Sequence, residues 1–179
     1  VLNQPAVPSS VISPIDSPQS VKAQQPLSVN ARAQIEYQRH VIRRLLQGQD
    51  SRLLVIVGPC SLHDEQATLD YAQRLRQLSE LLSDRLFVVM RAYVEKPRTQ
   101  VGWKGFAYDP LRNGGDLAQG IERSRALMLK LAQLGLPLAT EALNPLVMQY
   151  FEDLISWTAI GARTSESQTH REMVSQLAM

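Results

Sequence analysis

The sequence predicts a parallel α/β fold made of four strand–helix units behind an N-terminal helix. Three observations predict it. Short β-favouring runs alternate with amphipathic helical stretches from residue 53 onward, which is the pattern of βα units. Glycine punctuates the helix ends, at Gly48 and Gly135. Each predicted strand is followed by unusual polar or cysteine-containing sequence, and in parallel βα folds functional residues gather past the strand C-termini. A closed eight-stranded βα barrel needs about 250 residues. The 129 residues after position 50 are about half of that, so composition leaves a small open sheet and part of a barrel as alternatives.

Residues 1–29 hold five of the ten prolines, no glycine, and only Asp16 and Lys22 as charged side chains. So few apolar anchors predict an extended arm, either disordered or laid across another surface. The remainder, 30–179, is the folded unit. Asn30 is a candidate N-cap for a helix over 31–47, with Ile35, Val41, Ile42, Leu45 and Leu46 at helical spacing. The first strand is predicted at 53–57. Ser61 or Asp64 can cap the next helix, whose buried face would be Tyr71, Leu75, Leu78 and Leu82. A second strand is predicted at 86–90, then a long loop over 92–118, and then a helix through Ile121, Leu127, Met128, Leu131 and Leu134. Loops of that length inside a compact unit are usually functional. A third strand at 136–140, a helix at 146–155, a fourth strand at 157–160 and a polar helix at 166–177 complete the chain.

Composition excludes several classes. The 44% hydrophobic and 20% charged content is ordinary for a globular protein. The longest aliphatic run, 53–57, falls far short of the roughly 20 residues that cross a bilayer, so no membrane partner is expected. The single Cys60 cannot form an internal disulfide, which fits a reducing compartment and makes the cytoplasm the expected location. A net charge of +2 and few interleaved aromatics argue against nucleic acid as a partner. The sequence contains no nucleotide-binding phosphate loop, no dinucleotide fingerprint and no metal-ligand pair at helical spacing.

The strand ends carry the candidates. After the first strand, Gly58-Pro59-Cys60-Ser61 holds a thiol that is either a small apolar filler or a ligand or nucleophile. After the second, Arg91, Lys96, Arg98 and Lys104 are four cations against one anion, Glu95. Guanidinium forks and ammonium charges in one segment suit a small ligand with several anionic groups; the alternative is a solvated basic loop. Glu141 follows the third strand and can orient water, move a proton or pair with that basic loop. Ala162 and Arg163 follow the fourth, ahead of a helix N-terminus, as a phosphate ligand or as the partner of a neighbouring acid. His40, His63 and His170 are scattered and read as ordinary surface or helix histidines.

Taken in order, Gly58-Pro59-Cys60-Ser61, the run from Arg91 through Lys96-Pro97-Arg98-Thr99, Gly102-Trp103-Lys104-Gly105, and Gly161 through His170-Arg171-Glu172 closely resemble the aromatic-amino-acid-sensitive (class I) 3-deoxy-D-arabino-heptulosonate 7-phosphate (DAHP) synthases. The resemblance covers about residues 30–179. Related octulosonate-phosphate synthases share the chemistry but lack the Lys-Pro-Arg-Thr segment.

That resemblance implies the first four βα units of a (β/α)8 TIM barrel. It also implies condensation of phosphoenolpyruvate with erythrose 4-phosphate in the shikimate pathway, with a divalent metal (Mn, Fe, Co or Zn). By the same resemblance Cys60 is a metal ligand, Arg91 and Lys96 hold and polarise phosphoenolpyruvate, and Ala162 and Arg163 form its phosphate site. Arg98 and Thr99 take the aldose phosphate, Lys104 lies in the same substrate loop, and Glu141 stands near the attacking water. The remaining metal ligands of the family lie in the second half of the barrel, so this chain alone is expected to be inactive. A non-catalytic half-barrel regulatory or interaction module is the alternative. An aromatic amino acid effector and further copies of the chain are the other expected partners; Gln176-Leu177-Ala178 stands where many members read Gly-Leu-Ser beside the inhibitor cleft.

Overall fold

The structure, a computed structural model, describes residues 14–98 and 101–176. Four parallel strands form one sheet in the order β1 (Leu53–Val57), β2 (Leu86–Arg91), β3 (Leu138–Ala142), β4 (Trp157–Ile160). The helices are α1 (Pro18–Gln24), α2 (Val29–Leu46), α3 (Glu65–Leu81), α4 (Leu117–Gln133), α5 (Pro145–Met148) and α6 (Gln168–Gln176). Among the described residues no helix is long and apolar enough to cross a membrane.

Alternation along β2 sorts the two faces of the sheet. Val88 and Met90 enter the main core with Ala72 and Leu75 of α3 and Ile121, Leu127, Met128 and Leu131 of α4. Phe87 and Val89 point the other way and pack with Leu54, Ala139, Trp157 and Ile42 of α2. This second face carries Arg91 and Glu141 two residues beyond Val89 and Ala139. The free edge of β1 is open: Leu53 is 65% exposed and Ile56 and Val57 are exposed too.

The fold departs from the sequence reading in five places. Part of the expected arm is helical. Ser17 accepts from the Ser20 N–H at 3.1 Å, Pro18 occupies the first turn, and Val21 is buried. The segment lies across this chain itself, through Tyr150 donating to the Asp16 carbonyl at 2.7 Å and Arg125 to the Gln25 carbonyl at 3.0 Å. The rest of the expected arm, residues 1–13, lies outside the described residues. Ser28, not Asn30, caps α2 by accepting from the Ala31 N–H.

In α3 the buried stripe is Thr68, Ala72 and Leu75, while Leu78 is 50% exposed. Small side chains let the helix approach the sheet, and the leucine-weighted stripe misses that. Strand β3 starts two residues later than predicted because Pro137 has no N–H for the ladder; its carbonyl instead accepts from the Met90 N–H at 2.8 Å. Glu141 therefore lies inside the strand. The helix expected at 146–155 is the short α5 and a 3₁₀ turn at Glu152–Leu154, whose chain Arg39 clamps by donating to the Glu152 and Ile155 carbonyls at 2.7 Å.

Candidate active site

The strand ends on the Arg91 face form the site. The β1–β2 register pairs Val57 with Met90, which puts Gly58 beside Arg91. A Cβ at Gly58 would lie 2.9 Å from the Arg91 Cβ, so only glycine lets the two strands carry that arginine here. The Arg91 guanidinium stacks 4.2 Å from the Tyr93 ring centroid, and its Nε is buried with no hydrogen-bond partner. A buried donor left unsatisfied is one that a bound anion would satisfy. Burial pushes the Tyr93 phenol up, with Glu141 adding to the effect and Arg91 opposing it.

Cys60 lies in the β1–α3 loop and is exposed, which removes the apolar-filler alternative. Lys96 reaches it from the β2 loop, donating to its carbonyl at 2.5 Å and contacting Sγ at 3.0 Å. The Lys96 hydrogen bond and charge pull the thiol below its ordinary value, and Arg91 and Arg98 reinforce the effect. Arg91 at the end of β2 and Lys96 and Arg98 in the loop after it thus all act on the thiol. That loop folds back on itself: the Lys96 N–H donates to the Lys104 carbonyl at 2.8 Å, and the Ala107 N–H to the Val94 carbonyl at 3.0 Å. Gly105 makes this possible, with φ +113° and a backbone so close to Val94 that a Cβ would overlap the Val94 oxygen.

Arg98 and Lys104 are exposed and line a cavity of about 290 Å³ with Glu95, Lys96, Tyr108 and Asn144. Thr99 lies outside the described residues. Glu141 is half-buried on β3, next to Gly161, where a Cβ would come within 2.6 Å of its Oε1. Past β4, Ala162 and Arg163 are exposed, and Arg163 Nη1 donates to the Pro97 carbonyl at 3.4 Å, joining the fourth strand end to the second. Among the described residues none of Arg91, Lys96, Arg98, Lys104 and Arg163 forms an ion pair with a carboxylate, so the alternatives in which Glu141 or Arg163 serves a local salt bridge are not what the structure has. Five cations without acidic partners attract a polyanion.

Sequence reasoning gave no role to four groups here, Glu95, Tyr108, Asn144 and His170. Glu95 is 7% exposed and accepts from Tyr108 Oη at 3.0 Å, which in turn accepts from Asn144 Nδ2 at 3.0 Å. Burial raises the Glu95 carboxyl to about 7, against the hydrogen bonds that favour its charged form. The one available signal was a lone acid inside a basic run. His170 also does more than decorate a helix: Nε2 lies 2.7 Å from the Leu143 carbonyl and Nδ1 2.8 Å from Ser167 Oγ, so the carbonyl assigns the proton to Nε2 and the loop after β3 is tied to α6.

Among the described residues no three His, Cys, Asp or Glu side chains converge to hold a metal ion, and Cys60 is engaged by Lys96. These residues by themselves do not fit the metal site that the resemblance implies.

A four-stranded parallel half-barrel with a cluster of cations at its strand ends defines an α/β protein of the half-barrel class. The chain belongs to the DAHP synthetase I family, whose family model matches residues 20–179. It is 53% identical over 164 residues to the Tyr-sensitive phospho-2-dehydro-3-deoxyheptonate aldolase of Escherichia coli (strain K12), covering 91% of this chain and 46% of that relative. To the Trp-sensitive enzyme of Enterobacter agglomerans it is 51% identical over 163 residues, covering 90% of this chain and 47% of the relative. The solved phospho-2-dehydro-3-deoxyheptonate aldolase of Francisella tularensis SCHU S4 superimposes with a TM-score of 0.88 at 40% identity, covering 92% of this chain and 49% of that one. The chain spans about half the length of the relatives it matches, and its four strands are a half-barrel of their fold.

Proposed function

We propose that this chain supplies the substrate-binding half of a DAHP synthase, which condenses phosphoenolpyruvate with erythrose 4-phosphate. The observation that carries the reading is the set of cations at the ends of β2 and β4 without carboxylate partners among the described residues, held together by the Lys96–Cys60 and Arg163–Pro97 contacts. Two phosphorylated substrates repel each other, and fixed cations offset that repulsion while setting the reacting atoms in place. Arg91, with its unsatisfied Nε, and Arg163 take the phosphoenolpyruvate, with the Ala162 backbone at its phosphate. Lys96 polarises the reacting centre. Arg98, Thr99 and Lys104 hold the aldose phosphate. Glu141 orients the water that attacks phosphoenolpyruvate.

In this reading Cys60 is one ligand of a divalent metal (Mn, Fe, Co or Zn) whose other ligands come from outside these residues, so the chain alone binds metal weakly. The enzyme works in the cytoplasm as a homo-oligomer, consistent with the open β1 edge. The relatives' names specify Tyr or Trp sensitivity, which supports an aromatic amino acid effector here.

Calorimetry with phosphoenolpyruvate tests the reading. Saturable binding in the millimolar range, about −4 kcal/mol, is expected. It should weaken in Arg91→Gln and Arg163→Gln. No metal-dependent loss of phosphoenolpyruvate should occur with erythrose 4-phosphate until the second half-barrel is added in cis or as a separate chain. Absence of saturable binding refutes the anion site, and sustained turnover by this chain alone refutes the division of the catalytic groups. Stable folding without phosphoenolpyruvate binding, and no gain on adding the second half, would favour the non-catalytic module.

A further inference from the structure

Beneath the cation cluster lies a buried polar chain that the proposed reaction does not use. Its direction is fixed by one helix cap. Asn144 Oδ1 accepts from the Leu146 N–H at 2.9 Å, starting α5, so its Nδ2 is the group that faces Tyr108 Oη. An amide nitrogen can only donate. Tyr108 Oη therefore accepts there and gives its own proton to Glu95 Oε1. The chain joins the loop after β3 to two stretches of the long loop between β2 and α4, and it ends on a carboxyl that lines the same cavity as Lys96, Arg98 and Lys104. Glu95 has no ion-pair partner among the described residues, although Lys96 follows it directly.

We infer that Glu95, oriented by Tyr108 and Asn144, is a positioning residue that sets how tightly the Lys96, Arg98 and Lys104 cavity holds a phosphate-like dianion. The inference rests on the proposed anion site and adds to it a residue that touches no substrate. Neutral Glu95 leaves the cavity's positive field undiminished. Ionised Glu95 puts a negative charge in a poorly solvated place beside the same anion and opposes it. The groups that act on it are Tyr108 of its own loop, Asn144 from the loop after β3 and Glu141 from β3, and the three cations of its own loop line the same cavity; Glu141 favours the neutral form, while Tyr108 and the Asn144 backbone favour the charged one. Burial holds the carboxyl near 7, so the change falls close to neutrality.

Inorganic sulfate is the probe, because it keeps its charge where phosphate would titrate. Its affinity for the full chain is measured between pH 6 and pH 8.5 from the amide shifts of Lys96 and Lys104. Affinity should fall about tenfold across pH 7 in the unmodified chain. Glu95→Gln should lack that step and hold sulfate at high pH as the unmodified chain does at pH 6. Tyr108→Phe, which removes the donor that stabilises the carboxylate, should move the step to higher pH. Unchanged thermal melts and amide dispersion identify variants that fold. Sulfate binding with the same pH profile in all three proteins overturns the role of Glu95 and leaves the anion site standing. No sulfate binding at any pH overturns both.

Discussion

Lys96 Nζ sits 3.0 Å from Cys60 Sγ and 2.5 Å from the Cys60 carbonyl, so the loop after the second strand is fastened to the loop after the first by one side chain. That ammonium group stabilises the thiolate, and Arg91 and Arg98 add to the effect.

Cys60 should therefore react with iodoacetamide faster at pH 7 than a cysteine in an unstructured peptide. Lys96→Met removes the largest stabilising contact and should slow alkylation several-fold, with the midpoint of the rate profile moving to higher pH. Mass-spectrometric alkylation rates between pH 6 and pH 10 measure both. A profile unchanged by Lys96→Met would mean that the contact does not act on the thiol.

Glu95 makes the stability of the chain depend on pH. Its carboxyl stands near 7 in the fold against an ordinary 4.5, so the folded state holds the proton more tightly than the unfolded chain does. Folding takes up a proton between those values, and stability falls as pH rises from about 4.5 to about 7 and stays at the lower level above it. The loss is roughly 3 kcal/mol at most. Glu95→Gln should remove this slope, which urea denaturation at pH 5 and pH 8 would read directly.

Arg125 is fully buried and makes a paired contact with Asp153, at 2.8 Å to each carboxylate oxygen, while also donating to the Tyr150 and Gln25 carbonyls. Asp153→Ala leaves a buried guanidinium without its counter-charge and should cost about 3–5 kcal/mol. The loss should release α1 first, since Gln25 closes that segment onto Arg125; hydrogen exchange of residues 18–25 would show it before global unfolding.

Two glycines separate backbone strain from crowding. Gly48 has φ +70° with nothing within 4 Å of where a Cβ would stand, so Gly48→Ala should cost about 1 kcal/mol from conformation alone. Gly105 combines φ +113° with the Val94 backbone oxygen in the space a Cβ would need, and Gly105→Ala should cost well over ~2 kcal/mol and open the loop that carries Lys104. Thermal melts of the two variants should differ by several degrees.

What the sequence determined by itself was what periodicity and local chemistry can encode. The β1 and β4 strands stand at their predicted bounds, and α4 ends at Gly135, whose φ of +83° is a helix-terminating conformation. Tertiary structure decided the rest. The helix at Pro18–Gln24 exists because Val21 joins the main core and the Asp16 and Gln25 carbonyls accept from residues 134 and 100 positions away, which no local pattern in a proline-rich segment reveals. The inward stripe of α3 follows close approach to the sheet rather than leucine spacing. Glu95 read as a stray acid among cations; only the fold, by bringing Tyr108 and Asn144 to it and excluding water, made it a titrating group near neutrality, because desolvation is a property of what surrounds a residue and not of the residue.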